Sequence, residues 1–350
     1  MVLNGCAVKN PTVCLAAAAC LLLGLCVTAR AGDYKDKDFS LRFPAALNRF
    51  SPYADAAAVG GASAGSKWSS SINPASTGWL ALPGRYGVSL SPQYSALCFD
   101  QGTKMHVTSQ AGVVDLKKWG VLQPAIAQVH SNTRTTSEGL DFNYEMEFYQ
   151  LQWGKRLGKW AAGANFSYAL SETEHQLSGL RVVRTRSDTY ALRVGGLCEV
   201  VDKLLAGLVL DYGESKGRTV FYDFLGFGIG EIKVHDTTRQ YGVRPGVSYE
   251  YMEDSAVFFD YQYLRLTNDT GRLRIHRFHA GVDHRLIEGL FVRAGTAFDI
   301  RGNAAVTCGV GIYPTDWFTI DVAYQCDMYP EVDLEFGPSH AVTLSLGFTF

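Results

Sequence analysis

Along most of this chain, apolar residues fall on every second position. The clearest run is Leu204, Ala206, Leu208, Leu210, Tyr212. The spacing returns in Tyr241, Val243, Val247, Tyr249, Tyr251 and in Phe318, Ile320, Val322, Tyr324. A period of two marks a β-strand with one apolar face. Such runs predict about 14 strands, near residues 86–98, 104–115, 119–130, 140–153, 159–170, 180–200, 204–213, 237–251, 256–265, 271–284, 289–300, 303–312, 317–328 and 339–350.

The intervening positions carry charge: Arg193 and Glu199, Arg244 and Glu250, Asp260 and Gln262, Arg277 and Asp283, Arg293 and Asp299. In a soluble sandwich those positions would face water. In a membrane barrel the apolar face meets lipid and the polar face lines the lumen. Three features select the barrel. The apolar rows end in aromatics (Tyr212, Tyr251, Tyr263, Tyr324), as interface girdles do. Tight connections (201–203, 252–255, 285–288, 313–316) alternate with longer polar ones (171–180, 213–236, 266–271, 329–338), with 301–303 a short exception. The last strand, Val342, Leu344, Leu346, Phe348, Phe350, ends on an aromatic, the form of terminus through which barrel assembly machinery recognises its substrates. We therefore expect an all-β fold, a transmembrane antiparallel barrel over residues 86–350. The even strand count puts both ends on the periplasmic side, and Phe350 is the expected assembly signal.

Residues 1–31 do not belong to the barrel. Lys9 precedes an apolar run from Cys14 to Val27, and Ala29-Arg30-Ala31 fits a small-residue cleavage site, the layout of a secretory signal peptide. The run is too short to span a bilayer. Its removal takes Lys9 and Arg30 and no acid, which moves the net charge from −2 to −4. Neither value gives a basic field for nucleic acid. It also takes four of the eight cysteines. Of the rest, Cys198, Cys308 and Cys326 share their strands' apolar parity, and a turn at Pro314-Thr315 would put Cys308 opposite a residue near Asp321. Free thiols are expected. Composition agrees with strands: 36 Gly, 18 Tyr and 19 Phe suit strands and turns better than helices.

Residues 32–85 break the alternation. Ala56 to Gly65 is nearly all Ala, Gly and Ser, and Asn73-Pro74-Ala75 follows. Such a stretch is either a flexible linker or a compact plug, since a barrel of this size leaves a lumen to fill. At Asn73-Pro74-Ala75 the chain resembles the FadL/TodX family of outer-membrane transporters for hydrophobic compounds. Gly60-Gly61-Ala62-Ser63-Ala64-Gly65, Asn73-Pro74-Ala75 and Phe350 stand where that family has its small-residue hatch, its Asn-Pro-Ala motif and its terminal aromatic. The resemblance implies a hatch inside the barrel over residues 32–85. It further implies passive transport of long-chain fatty acids or similar molecules, outer-membrane lipid as surroundings, and a sideways exit at a kink in the third strand, for which Gly120 and Pro124 are the candidates. The chain is shorter than the family's, with modest loops.

Candidate chemistry is otherwise thin. The segment Phe221, Phe224, Leu225, Phe227 reads as an apolar lip for ligand. The lumen charges Arg193, Arg244, Arg277, Arg293, Asp260 and Asp299 read as salt bridges that satisfy one another. A hydrolase needs a nucleophile, a base and an orienting group within hydrogen-bond reach, and the residues point to no such set. His279 faces away from His276 and His284, so no metal site is indicated either. The reading calls for no enzyme and no cofactor. The competing readings are a non-transporting barrel that serves as a scaffold or secretion partner, and a general diffusion porin.

Overall fold

A computed structural model describes residues 34, 39–47, 53–67, 69, 71–80, 87–132, 134–135, 141–223 and 231–350. The expected signal peptide lies outside them, as do Phe224, Leu225 and Phe227.

Fourteen strands form one closed antiparallel barrel. They are β1 (Val88–Phe99), β2 (Lys104–Asp115), β3 (Val121–Ser131), β4 (Asp141–Leu157), β5 (Trp160–Leu177), β6 (Leu180–Val201), β7 (Leu204–Phe221), β8 (Ile232–Met252), β9 (Ser255–Asn268), β10 (Gly271–Ile287), β11 (Leu290–Asp299), β12 (Ala304–Thr315), β13 (Phe318–Cys326) and β14 (Ser339–Thr349). Arg134 and Thr135 continue the pairing of β3 with β4. Each strand pairs with its neighbours in sequence, and β1 closes on β14 with Leu97 opposite Ala341. Phe350, half exposed, extends the closure through its amide to the Val88 carbonyl at 2.9 Å.

The side chains sort as a membrane barrel requires. Leu192, Leu210, Val243, Val322 and Val342 point outward and are exposed, while Asp260, Arg277, Gln152 and Thr307 point inward and are buried. This inversion of the soluble pattern follows from the solvent: lipid takes apolar groups, and the filled lumen takes paired polar ones.

Three stretches expected as loops are strand. The β5–β6 ladder continues to Leu177 opposite Leu180, β7 and β8 pair up to Phe221 opposite Ile232, and β9 and β10 pair to Asn268 opposite Gly271. Beyond the lipid both faces of a strand are wet, so alternation vanishes while backbone hydrogen bonds persist. Alternation reports the environment and not the ladder. The 329–338 connection also differs from expectation: a 3-10 turn (Pro330–Val332) and a short helix (Asp333–Phe336) fold inward and bury Tyr329, Val332 and Phe336. Cys308 faces Tyr324 and not the region of Asp321, because the β12–β13 turn sits at Asp316-Trp317 after an irregularity past Ile312. Cys98, Cys198, Cys308 and Cys326 are free thiols.

Candidate functional site

The described residues between 34 and 80 lie against the inner wall. A helix, Phe39–Leu47, sits toward the loop end, and its Pro44 is tolerated in so short an element. Below it, the described residues between 54 and 79 run around the inside of the barrel. Ala54 N–H donates to Ser345 Oγ on β14 at 3.0 Å, and Thr307 Oγ1 on β12 donates to the Ala58 carbonyl at 2.8 Å. His279 on β10 bonds the Gly60 carbonyl at 2.8 Å, and Ser248 on β8 donates to the Gly65 carbonyl at 2.8 Å. The belt ends in a 3-10 helix, Pro74–Trp79, against β4, β5 and β6.

Asn73 anchors this last turn. Its Oδ1 accepts from Ala75 N–H at 3.0 Å, capping the 3-10 helix, and its Nδ2 donates to the Ala64 carbonyl at 2.7 Å and the Gly196 carbonyl at 3.0 Å. Pro74 fits the first helical position, where no N–H is needed. Ala75 packs with Ala161, Leu197 and Leu205.

The wall accommodates the belt with glycines at inward positions. A Cβ at Gly195 would overlap Asn73 Oδ1, and one at Gly295 would overlap the Val59 backbone. Gly163, Gly207 and Gly281 meet the belt in the same way, facing Pro74, Ala64 and Val59, and Gly246 leaves room for both Asp260 and the Gly65 amide. Sequence reading credited the inward parity with charge alone. The signal it passed over was glycine at mid-strand inward positions, which marks close backbone approach.

The lumen charges bind one another, and three of the four arginines also bind the N-terminal segment. Arg193 pairs with Asp211 and donates to the Ser71 carbonyl at 3.2 Å. Arg244 pairs with Asp260 and donates to the Gly61 carbonyl, while Asp260 accepts from Ala64 N–H at 2.8 Å. Arg277, fully buried, pairs with Glu331 and donates to the Ala45 carbonyl at 3.3 Å. Arg293 bridges Asp283, Asp321 and the Tyr313 hydroxyl. Asp299 sits in the β11–β12 turn, accepting from Tyr34 OH at 2.6 Å and from Arg301 and Asn303 amides. Arg42 on the first helix pairs with Glu335, so helix, wall and the 327–338 connection are joined by charge.

Among the described residues, the belt makes few bonds to the wall at β1–β3. Over β1–β3, Tyr53 alone supplies a direct side-chain bond among the described residues, accepting from Gln123 Nε2 at 2.8 Å. Two voids lie on this arc. One, about 500 Å³ including its mouth, is almost wholly apolar and sits at the loop end between the first helix (Phe43, Ala46, Leu47) and Leu97, Phe99, Met105, Val107, Val129 and Met146. The second, about 260 Å³, lies beneath it along the same strands, bounded by Tyr53, Gln93, Ser109, Ala111, Ala125 and Ala127.

The ladder is interrupted beside the second void. The pairing of β2 with β3 runs to Ala111–Ala125 and resumes only at Val114–Leu122. Pro124 lies in the gap and has no N–H to donate. Its other edge pairs normally with Leu151 on β4. Pro92 interrupts β1 against β14 likewise, between Leu90–Phe348 and Gln93–Ser345. Gly120 is not part of this gap: with φ +97° it closes the β2–β3 turn, where a Cβ would meet the Gly154 carbonyl oxygen at 2.5 Å. Phe221 stands exposed at the end of β7, away from both voids.

These features define a transmembrane β-barrel with an N-terminal segment bonded to its inner wall and an apolar void at the loop end. Among solved structures the chain is similar to the toluene transporter TbuX of Ralstonia pickettii (13% identity, 87% of this chain and 99% of that one, TM-score 0.61). It is also similar to a Pseudomonas aeruginosa FadL homologue (11% identity, 85% and 98%, TM-score 0.59) and to the CymD monoaromatic hydrocarbon channel (12% identity, 87% and 98%, TM-score 0.58). The fold is therefore the one the Asn73-Pro74-Ala75 resemblance implied. No family model and no curated protein matches the sequence.

Proposed function

We propose that the protein conducts hydrophobic small molecules passively across the outer membrane of a Gram-negative-type bacterium, with residues 32–85 as the hatch. The observation that carries this reading is the arc of β1–β3, where the described belt residues make few bonds. An apolar void sits at its loop end, and a separate second void lies further along the same strands beside the interrupted ladder at Pro124. A ligand held by dispersion and burial among Phe43, Leu97 and Met105 would leave sideways at Pro124 without crossing the polar belt. The solved barrels named as transporters and channels for toluene and monoaromatic hydrocarbons support the class of cargo. A non-transporting scaffold needs no such path, and an open porin would not carry ion pairs sealed onto its plug.

Liposomes loaded with the full-length barrel test this. Uptake of toluene or a fatty acid above empty liposomes, with none for a small sugar, is the expected result. Equal permeability to the sugar would indicate a porin, and no uptake of either would indicate a scaffold.

A further inference from the structure

The outward face at the loop end is charged unevenly. Past the tyrosine row of Tyr190, Tyr212 and Tyr241, the outward positions of β6–β10 turn basic: Arg186, Lys216 and Arg218, Arg239, Arg265, then Arg274 and Arg272. Asp188 and Glu214 are the acids within this band. The neighbouring outward positions of β4 and β5 are acidic instead, with Glu145, Glu147, Glu172 and Glu174.

Register makes the band unusual. Arg186 lies directly opposite Arg218, and Arg265 directly opposite Arg274. Like charges in directly opposed positions destabilise a sheet. The barrel's own acids offset part of this, since Arg186 contacts Glu172 at 2.7 Å and Arg239 contacts Glu214 at 3.3 Å. Arg218, Arg272 and Arg274 are exposed and make no ion pair among the described residues, and the buried Nε of Arg265 has no hydrogen-bond partner. Arg218, Arg272 and Arg274 thus have no carboxylate partner among the described residues, and Arg186 shares its one carboxylate, Glu172, with Arg184.

Their height says where an anionic partner would lie. Aromatic girdles mark the edge of the hydrocarbon. Arg265 sits beside Tyr241 in register, at the girdle itself. Arg186 stands four residues beyond Tyr190, about 13 Å along the strand or roughly 10 Å along the membrane normal at the usual tilt. The band therefore spans the headgroup layer, about 5–8 Å deep on each side of the hydrocarbon, and its outer edge.

We propose that this face binds lipids whose headgroups carry two phosphates, with an arginine pair straddling a phosphate at each of two separate positions. Guanidinium forks suit phosphate oxygens, and the exchange replaces arginine–arginine repulsion with charge-assisted hydrogen bonds. The inference rests on the barrel spanning a membrane and not on what it transports.

The test uses the full barrel in neutral detergent, with diphosphoryl lipid A, its dephosphorylated form and poly-glutamate as probes. Wild type should bind the diphosphoryl lipid. The variants R186Q/R218Q and R265Q/R274Q should each bind it about tenfold more weakly, the scale of one or two lost charged hydrogen bonds, while E145Q/E147Q should bind as wild type. Melting adds a readout that misfolding would not mimic: R218Q should raise the melting temperature in detergent alone and lower it relative to wild type once the lipid is bound. Undiminished binding by the quadruple glutamine variant, or equal binding of the dephosphorylated lipid, would overturn the proposal. Poly-glutamate binding as tightly as the lipid would move the site to a soluble acidic partner and overturn it too.

Discussion

Two arcs of one wall do different work here. From β4 round to β14 the inner surface is lined by residues 54–79, seated on glycines and tied by directional bonds: Asn73 to Gly196, Arg244 to Gly61, Thr307 to Ala58. Over β1–β3 the described belt residues make one direct side-chain bond, to Gln123, and the surface carries small, apolar and glutamine side chains, two voids and two proline-interrupted ladders. Under the proposed function the contrast separates sealing from conduction. Packing that leaves no room for a Cβ admits neither water nor ligand, and it holds the belt at fixed depth. The open arc has space to admit a ligand and a wall segment short of hydrogen bonds, so it is where local opening costs least.

The largest effect should come from forcing the belt off its seat. Gly295→Val and Gly195→Val put side chains where Val59 and Asn73 already are, and overpacking of this kind costs about 1–3 kcal/mol per site. We expect the double variant to assemble a heat-modifiable barrel with higher nonspecific conductance and with residues 54–79 open to protease. Deleting residues 56–75 should raise conductance to the same level. Unchanged conductance in both would mean that the belt does not seal.

Asn73→Ala acts on the same arc more gently. It leaves the Ala64 and Gly196 carbonyls and the Ala75 amide without their side-chain partner, at about 1–3 kcal/mol for each buried group left unsatisfied. Amide exchange should accelerate over residues 64–79 and stay unchanged in β1–β3. Exchange that rises equally on both arcs would erase the distinction between them.

The open arc is probed by Pro124→Ala. Alanine restores an N–H facing β2, and one ladder bond is worth about 0.5–1.5 kcal/mol. Uptake of the hydrophobic probe should fall while conductance and protease resistance of the belt stay as in wild type. Faster or equal uptake would remove the interrupted ladder from the path.

The sequence disclosed these arcs unequally. Strand number and the identity of outward and inward faces were legible, because lipid and lumen impose opposite demands on alternate residues. Strand length at the loop end was not, since β5–β8 continue past the lipid where both faces are polar. The ion pairs were read as mutual, yet Arg193, Arg244 and Arg277 also grip backbone carbonyls of a distant segment, and no side-chain pattern records a carbonyl. The glycine seats were visible as Gly163, Gly195 and Gly295 on inward positions, but their meaning depends on what lies opposite. An apolar lip was expected at Phe221, Phe224, Leu225 and Phe227, of which only Phe221 lies among the described residues. The apolar void at Leu97, Met105 and Val129 was not foreseen, although inward apolar side chains that run against the lumen's polar rule were the available signal.

The smallest effect concerns the extended hairpins that rise above the belted arc. Glu172 on β5 accepts from Arg184 at 2.8 Å and from Arg186 at 2.7 Å, outside the lipid-facing span. The hydrogen bond from Arg184 is the main cause that holds its carboxyl below the ordinary glutamate range, with Arg186 adding to it against a modest desolvation cost. A carboxyl depressed in the folded state contributes stability that is present above its unfolded value and lost as pH falls through its folded value. Acidification from neutral to below the usual carboxylate range should therefore loosen the β5–β6 tip first, seen as faster exchange at residues 171–187. Exposure and salt keep the contribution below about 1 kcal/mol, so the global melting temperature should hardly move. Glu172→Gln should remove the pH dependence of that tip and leave the belt residues 54–79 as protected as before. If the tip in the Gln variant still loosens with acid to the wild-type extent, the pair is not what orders it.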